Sequence, residues 1–169
     1  MLFNYILGIQ DINEGEQKVN YREAVRAVII KGSEILLVHS NKGDYKFPGG
    51  GLKNKESHEE TLIREVREET GYIISRVKER IGIVTERNFD EFENDSIFEM
   101  HSFYYLCEVS ENQESQQLDD YESELDFRPQ WMNINTAISN NEGILDNADT
   151  NHWVSRETSV LRELKSIIV

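Results

Sequence analysis

The sequence is poor in cysteine and proline. Its 169 residues include one cysteine, Cys107, and two prolines, Pro48 and Pro129. A single cysteine excludes an internal disulfide, and with it the class of small secreted domains that disulfides hold together. We therefore expect a reducing compartment, the cytoplasm.

Long hydrophobic runs are also missing. The apolar residues of Met1–Ile9 are too few to span a bilayer, and no positively charged region precedes them. We therefore expect no membrane partner and no targeting signal. Hydrophobic residues make up 38% and charged residues 30% of the chain, which is a globular composition, and the length predicts one domain over residues 1–169.

Basic residues are few. The chain has 18 Lys and Arg against 32 Asp and Glu, for a net charge of -14. Residues 86–126 hold most of the excess, since Arg87 is their only Lys or Arg. An acidic surface repels nucleic acid, so we expect no nucleic-acid partner. A small anionic substrate would need a metal ion as a bridge.

One helix carries a concentration of negative charge. Ser57 is a good N-cap and Gly71 a good residue to end the helix. Between them Glu65, Glu68 and Glu69 share one face, because successive residues are about 100° apart. Like charges there repel by roughly 0.2–0.5 kcal/mol per pair, and Mg²⁺, which prefers carboxylate oxygens, would remove the repulsion. An acidic face in solvent is the alternative that the residues alone leave open.

The same helix has an apolar stripe, and a flexible turn precedes it. Leu62, Ile63 and Val66 are expected to pack on the core. Arg64 flanks the acidic face and can hold a carboxylate in place. Pro48–Gly51 contains three glycines, which let backbone approach a ligand or metal closely.

The spacing of these residues matches a known motif. From Gly50 the chain has five residues, Glu56, seven residues, and then Arg64–Tyr72, Arg-Glu-Val-Arg-Glu-Glu-Thr-Gly-Tyr. This resembles the box of the Nudix (MutT-like) hydrolase family, G-x5-E-x7-R-E-U-x-E-E-x-G-U with U apolar, at every fixed position. The resemblance implies an α+β fold, an α/β/α sandwich with a mixed central β-sheet. It also implies Mg²⁺-dependent hydrolysis of a pyrophosphate bond in a nucleoside diphosphate linked to another group, with Mn²⁺ able to substitute.

Site residues follow from the same resemblance, position by position. A metal-activated water would attack phosphorus, and the general base would be a box glutamate or an acid ahead of the last strand, where Glu122 is favoured over Glu124. The implied metal ligands are Glu56, Glu65, Glu68, Glu69 and the carbonyl of Gly49, with Gly50 as its alternative. The implied catalytic residues are Glu65, Glu68, Glu69, Arg64 and Glu122.

Substrate contacts are less defined by the sequence. Basic side chains of the second strand and the turn can meet phosphates, and Phe89, Tyr104 and Tyr105 can stack on a base, although core packing is favoured for aromatic residues in strands. The candidate substrate-binding residues are His39, Arg26, Lys46, Gly50 and Gly51. The proline that follows the box in ADP-ribose hydrolases is absent, so the identity of the group linked to the nucleoside diphosphate stays open.

Two other functions are compatible with the resemblance. An isopentenyl diphosphate isomerase has a related fold and needs a catalytic cysteine, for which the sequence offers only Cys107. A non-catalytic nucleotide-sensing domain is the second alternative, although such domains often have an eroded box.

The element pattern predicts several strands with a helix in the middle and at the end. An N-terminal strand outside the hairpin can pair with a second subunit, so a homodimer is possible. We predict strands at 2–9, 21–31, 35–39, 45–47, 97–109 and 127–133 and within 72–85, helices at 57–70, 136–140 and 151–167, and loops at 86–96 and 110–126, with 21–31 and 35–39 forming a hairpin.

Overall fold

A mixed β-sheet forms the centre of the protein. The computed structural model describes residues 1–13 and 15–168. The strands are β1 (Phe3–Gly8), β2 (Lys18–Lys31), β3 (Glu34–His39), β4 (Tyr45–Lys46), β5 (Tyr72–Phe89), β6 (Ser96–Gln113) and β7 (Arg128–Asn133). The helices are α1 (His58–Thr70), α2 (Asp120–Glu124), α3 (Ile134–Ile144) and α4 (Val154–Ile168). Within the described part of the chain, no helix combines the length and hydropathy that a bilayer crossing needs.

The strand order is β1-β5-β6-β2-β3-β4, with β7 paired to β3. The pairs β1–β5 and β2–β6 are parallel, and the other pairs are antiparallel. The predicted hairpin of β2 and β3 is confirmed, since Ile30 pairs with Ile35. The sheet is therefore mixed, as expected.

Helices cover both faces of this sheet. Helix α1 packs Leu62 and Val66 against Val25, Ala27 and Phe103. On the other face, α3 and α4 contribute a second apolar cluster with strands β2, β3 and β6; its helical members are Ile134, Ala137, Ile138, Val160, Leu161 and Leu164. The expected α/β/α sandwich is confirmed.

The predicted apolar stripe of α1 is wrong at one position. Leu62 and Val66 are fully buried, whereas Ile63 is 39% exposed. The buried arc of the helix instead includes Glu65 and Glu69. Ile63 falls outside that arc, because the helix turns its acidic edge, and not its far apolar edge, toward the protein.

The two predicted acidic loops are shorter than expected. Strand β5 continues to Phe89 and β6 begins at Ser96, so the first loop shrinks from 86–96 to 90–95. The charged residues at these positions favour a loop when the sequence is considered alone. In the structure, Arg87 of β5 lies opposite Glu99 of β6, and the two form an ion pair of 2.5 Å. In the second loop, β6 extends to Gln113 and α2 forms near the end.

Side chains from two helices hold the very short strand β4. The Asn141 amide of α3 accepts from the backbone N of Tyr45 at 2.9 Å and donates to its carbonyl at 3.0 Å. The Glu157 carboxylate of α4 accepts from the backbone N of Phe47 at 2.7 Å. These hydrogen bonds hold the backbone of β4 in place of further strand pairing. They therefore also position Phe47, which leads into the glycine turn.

We expect Asn141→Ala to destabilise the protein by about 2–4 kcal/mol, because it leaves two buried backbone groups of Tyr45 without partners. Equilibrium unfolding in urea measures this. Ser139→Ala, at an exposed position of the same helix, is the matched control and should stay within about 0.5 kcal/mol of the parent. Equal stability of the two variants would contradict the proposed role of Asn141.

Candidate metal centre and active site

The glycine turn is fixed along strand β2. The backbone N of Val25 donates to the Gly50 carbonyl at 3.0 Å, and that of Ala27 donates to the Pro48 carbonyl at 2.8 Å. Gly49 has φ +143, and a Cβ there would lie 2.0 Å from the Val25 carbonyl oxygen. Only glycine therefore allows the turn to lie this close to β2.

Gly50 leaves room for a carboxylate. A Cβ at Gly50 would lie 2.5 Å from the Cδ of Glu65. The missing side chain thus admits Glu65 against the turn. The sequence suggested that a ligand or metal approaches the backbone of the glycine turn closely. In the structure, the Glu65 carboxylate makes such an approach at Gly50.

Helix α1 has the ends that the sequence predicted. Ser57 and Glu60 form a capping box, and Gly71 ends the helix. The helix therefore holds Glu65 and Glu69 one turn apart on its buried side, at 8% and 2% exposure.

Three carboxylates converge beside the turn. One oxygen from each of Glu65, Glu69 and Glu122 lies within 4.8 Å of the others. The first two come from α1 and the third from α2. The structure thus brings Glu122 to the same point as two box glutamates.

Lys46 is the cationic partner of Glu69. Its Nζ lies 2.5 Å from Glu69 Oε1, and the Gly49 backbone N donates to Glu69 Oε2 at 2.9 Å. Only 7% of the Lys46 side chain is exposed. Sequence reasoning placed Lys46 at substrate phosphates, whereas the structure places it in an ion pair with a box glutamate.

Arg64 holds the remaining box glutamates. Its Nε and Nη2 donate to the two oxygens of Glu56 at 2.7 and 2.8 Å. Its Nη1 donates to Glu65 at 2.5 Å and to Glu68 at 3.2 Å. Arg64 has the contacts of the orienting residue that was expected. Glu56 and Glu68 lie on this guanidinium and outside the group of three converging oxygens.

The pKa of Glu56 and the pKa values of the three converging carboxylates shift in opposite directions. Burial raises the pKa of Glu65, Glu69 and Glu122, and neighbouring carboxylates add to the effect. Hydrogen bonds from Arg64 lower the pKa of Glu56 to about 2. The raised pKa values mean that burial disfavours the ionised forms of Glu65, Glu69 and Glu122. A divalent cation bound to their oxygens would add positive charge and favour those forms.

The ion pair of Glu56 should make stability depend on pH. The carboxyl has a pKa of about 2 in the folded chain, against 4.5 for the ordinary group. Its contribution is therefore present above about pH 4.5 and is lost as the pH falls toward 2. We expect the parent protein to exceed Glu56→Gln in melting temperature at pH 7, and the difference to vanish on acidification. Thermal unfolding across this range in EDTA measures it, and a difference that does not change with pH would contradict the ion pair.

The segment that leads to Glu122 is anchored on the end of α1. The carbonyls of residues 68–71 accept hydrogen bonds from residues 113–117. Gln116 Nε2 donates to the Glu69 carbonyl at 2.5 Å and also to the Phe127 carbonyl at 2.8 Å. Sequence reasoning missed Gln116, and an amide among acidic residues gave little signal of these contacts. This anchoring sets where α2 begins, and so where Glu122 lies.

We expect Gln116→Ala to loosen the segment around Glu122. The loss of two hydrogen bonds should speed amide exchange in residues 116–125 on the order of tenfold. Hydrogen–deuterium exchange measures it by peptide. Gln117→Ala is the matched control, because Gln117 uses its backbone N, and not its exposed side chain, to reach the Glu68 carbonyl. Equal exchange in both variants would show that Gln116 does not hold the segment.

Arg26 presents a buried positive charge beside the turn. It is 8% exposed, and its Nη1 donates to the Gly49 carbonyl at 2.7 Å. Its Nε is buried without a hydrogen-bond partner, and no carboxylate in the described ranges forms an ion pair with it. The Gly49 carbonyl, expected to reach a metal, thus faces Arg26 and also Lys46, at 3.4 Å.

The other two candidate substrate residues lie to the sides. His39 ends β3, where its ring centroid is 4.7 Å from that of Tyr45. Gly51 lies beside Arg22, whose Nη2 would be 3.4 Å from a Cβ at the glycine. Of the aromatic candidates, Tyr104 is fully buried in the core and Phe89 is 71% exposed.

Comparison with known proteins decides the family. The family model described as the NUDIX domain matches residues 20–154. The chain belongs to the Nudix family. The identification made from the box is therefore confirmed.

Two curated relatives are similar to part of this Nudix chain. An ADP-ribose pyrophosphatase of Methanocaldococcus jannaschii is 37% identical over 71 residues, which cover 40% of this chain and 41% of the relative. A probable DHNTP pyrophosphohydrolase of Lactococcus lactis is 27% identical over 89 residues, 52% of this chain and 54% of the relative. The chain thus spans about half the length of these relatives.

A solved structure supports the fold. The NUDIX hydrolase from Nitrosomonas europaea superposes with a TM-score of 0.61 at 20% identity, over 87% of this chain and 90% of that one. At this identity the likeness shows a shared fold.

Proposed function

We propose that this Nudix protein hydrolyses a pyrophosphate bond in a nucleoside diphosphate linked to another group, with Mg²⁺ as its metal. The observation that carries the proposal is the convergence of Glu65, Glu69 and Glu122 within 4.8 Å, beside a glycine turn. The curated relatives support it, since one is named a pyrophosphatase and the other a probable pyrophosphohydrolase.

The donor set fits a hard divalent cation. Three carboxylates offer oxygen ligands, which Mg²⁺ prefers and Mn²⁺ also accepts. Glu65 and Glu69 would hold the ion, with the Glu122 carboxylate beside them, and Glu56 and Glu68 are bound to Arg64. When bound, such an ion polarises phosphoryl oxygens and lowers the pKa of water.

Arg26 would bind a phosphate oxygen. A buried guanidinium without a carboxylate partner is costly, and a phosphate would pair with it through charge-assisted hydrogen bonds. Arg26 and Glu69 contact the same residue of the turn, since Arg26 donates to the Gly49 carbonyl and Glu69 accepts from the Gly49 backbone N. Arg26 therefore positions the substrate, while Lys46 and Arg64 hold the carboxylates.

Glu122 is the best placed of the three carboxylates to act as general base. Glu65 is tied to Arg64 and Glu69 to Lys46. Glu122 has no cationic partner among the described residues, and burial raises its pKa. A carboxylate with a raised pKa and no ion pair accepts a proton from an attacking water more readily.

The test is a pair of neighbouring substitutions. Glu122→Gln should lower hydrolysis by at least about 100-fold, the usual contribution of a general base. The fold should survive, because glutamine also completes the capping box with Asp119. Turnover of ADP-ribose, nucleoside triphosphates, nucleotide sugars and dinucleoside polyphosphates with Mg²⁺ measures the effect.

Glu124→Gln is the matched control for this test. Glu124 is exposed on the same helix, and its replacement should leave turnover within about twofold. Equal losses in both variants would contradict the role of Glu122. Turnover that persists in EDTA would contradict the metal.

Two alternatives have distinct outcomes. Tight nucleotide binding without turnover of any compound would favour the sensing domain. The isomerase needs a reactive thiol, but Cys107 is 3% exposed and burial raises its pKa to about 12. A thiol of that kind stays protonated and inert.

A further inference from the structure

A cavity of about 950 Å³ lies outside the carboxylate cluster. It opens between the first half of β2 and the tip of the β5–β6 hairpin. Residues 19–22 of β2, residues 88–93 of the hairpin, Phe98 and His152 line it. This volume is in the range of small-molecule sites.

Exposed aromatic rings surround this cavity. Tyr21, Phe89 and Phe92 are 49%, 71% and 97% exposed, and all three line it. Large apolar side chains left in water and gathered at one place indicate a binding site. Their flat faces suit a planar ring, on which aromatic side chains stack.

The charges around the cavity are polarised. Its hairpin end carries Asp90, Glu91 and Glu93. The Asn20 amide donates to Asp90 at 2.7 Å and to Glu93 at 2.9 Å, and Lys18 Nζ donates to Glu93 at 2.7 Å, so these two carboxylates already have partners within the protein. Glu91 lies exposed beside them. Arg22, near Gly51, supplies positive charge at the other side.

Arg22 connects the cavity with the glycine turn, since it lines the cavity and its Nη2 would lie 3.4 Å from a Cβ at Gly51. Asn20, Arg22 and Arg26 share one face of the strand, because side chains alternate. Arg22 and Arg26 are four residues apart, or about 13 Å. One nucleotide can span this distance, with its phosphates near Arg26 and its base in the cavity.

We propose that this cavity binds the base of the substrate and selects a purine that carries an exocyclic amino group. The proposal rests on the proposed hydrolase function and adds the substrate class. Amino and ring N–H groups would donate to the Glu91 carboxylate of the hairpin, while Phe89 and Phe92 stack on the ring. A base that presents only hydrogen-bond acceptors at that edge would be repelled, because its acceptor atoms and the carboxylate oxygens are both negative.

The test compares GMP with IMP, which differ in the amino group. Isothermal titration with Mg²⁺ reads base binding directly, because a monophosphate has no anhydride bond to be hydrolysed. GMP should bind at least about tenfold more tightly than IMP, since one hydrogen bond to a charged group distinguishes them. Glu91→Gln should narrow this ratio.

Phe89→Ala and Phe92→Ala should weaken GMP binding by about tenfold each, through lost stacking. Both side chains are exposed, so the fold should not change. Ile167→Ala, an exposed apolar residue of α4 at 50% exposure, is the control and should bind GMP as the parent does.

Equal affinities for GMP and IMP, or no binding of either, would overturn the proposal. So would unchanged GMP binding in both phenylalanine variants. If Phe92→Ala converts a dimer to a monomer in sedimentation without altering GMP binding, the aromatic surface contacts a second copy of the chain, and the proposal fails. A GMP preference in a protein that hydrolyses no anhydride would refute the proposed function alone.

Discussion

The repulsion between carboxylates in a buried place is the constraint on which this site depends. Glu65, Glu69 and Glu122 bring one oxygen each within 4.8 Å. Burial alone disfavours their ionised forms, and their closeness adds to that cost. Nearby positive charge, from side chains or from a metal ion, lowers this cost and favours the ionised carboxylates.

Much of the surrounding structure supplies or positions that charge. Lys46 reaches Glu69 from strand β4, and β4 has only two residues. Asn141 and Glu157 therefore hold the neighbouring backbone from the opposite helices. Arg64 neutralises the other edge of the group. The layer formed by α3 and α4 thus determines where Lys46 lies, although neither helix contributes a carboxylate to the cluster.

The same logic connects the site with a substrate. Arg26 is a buried cation with no carboxylate partner in the described ranges, and it lies on the glycine turn. A metal ion would stabilise the three ionised carboxylates, and an anion would stabilise the Arg26 guanidinium, which has no carboxylate partner in the described ranges. A phosphate group between the two would satisfy both, which is why a phosphoric anhydride fits this arrangement better than a neutral substrate.

Local features of the sequence were predictable because they depend on neighbours in the chain. The capping box of Ser57, the end of α1 at Gly71 and the β2–β3 hairpin follow from such short-range chemistry, and the structure confirms them. Ile63 was wrong, because periodicity gives the width of a stripe but not the direction in which the helix turns it. The length of strand β5 was underestimated. Arg87 is charged, which is typical of a loop when it is considered alone, and its partner Glu99 lies on the adjacent strand.

The sequence by itself therefore determined the family, the capped helix and which glutamates stand on its acidic side. The tertiary structure decided which of those glutamates converge with Glu122 and which lie only on Arg64. Glu69 is paired with Lys46 across 23 positions of the chain, and Gln116 contacts Glu69 across 47. Glu122 joins the cluster from a separate short helix. Contacts of this range depend on how packed layers place distant segments, and no pattern of neighbouring residues encodes them.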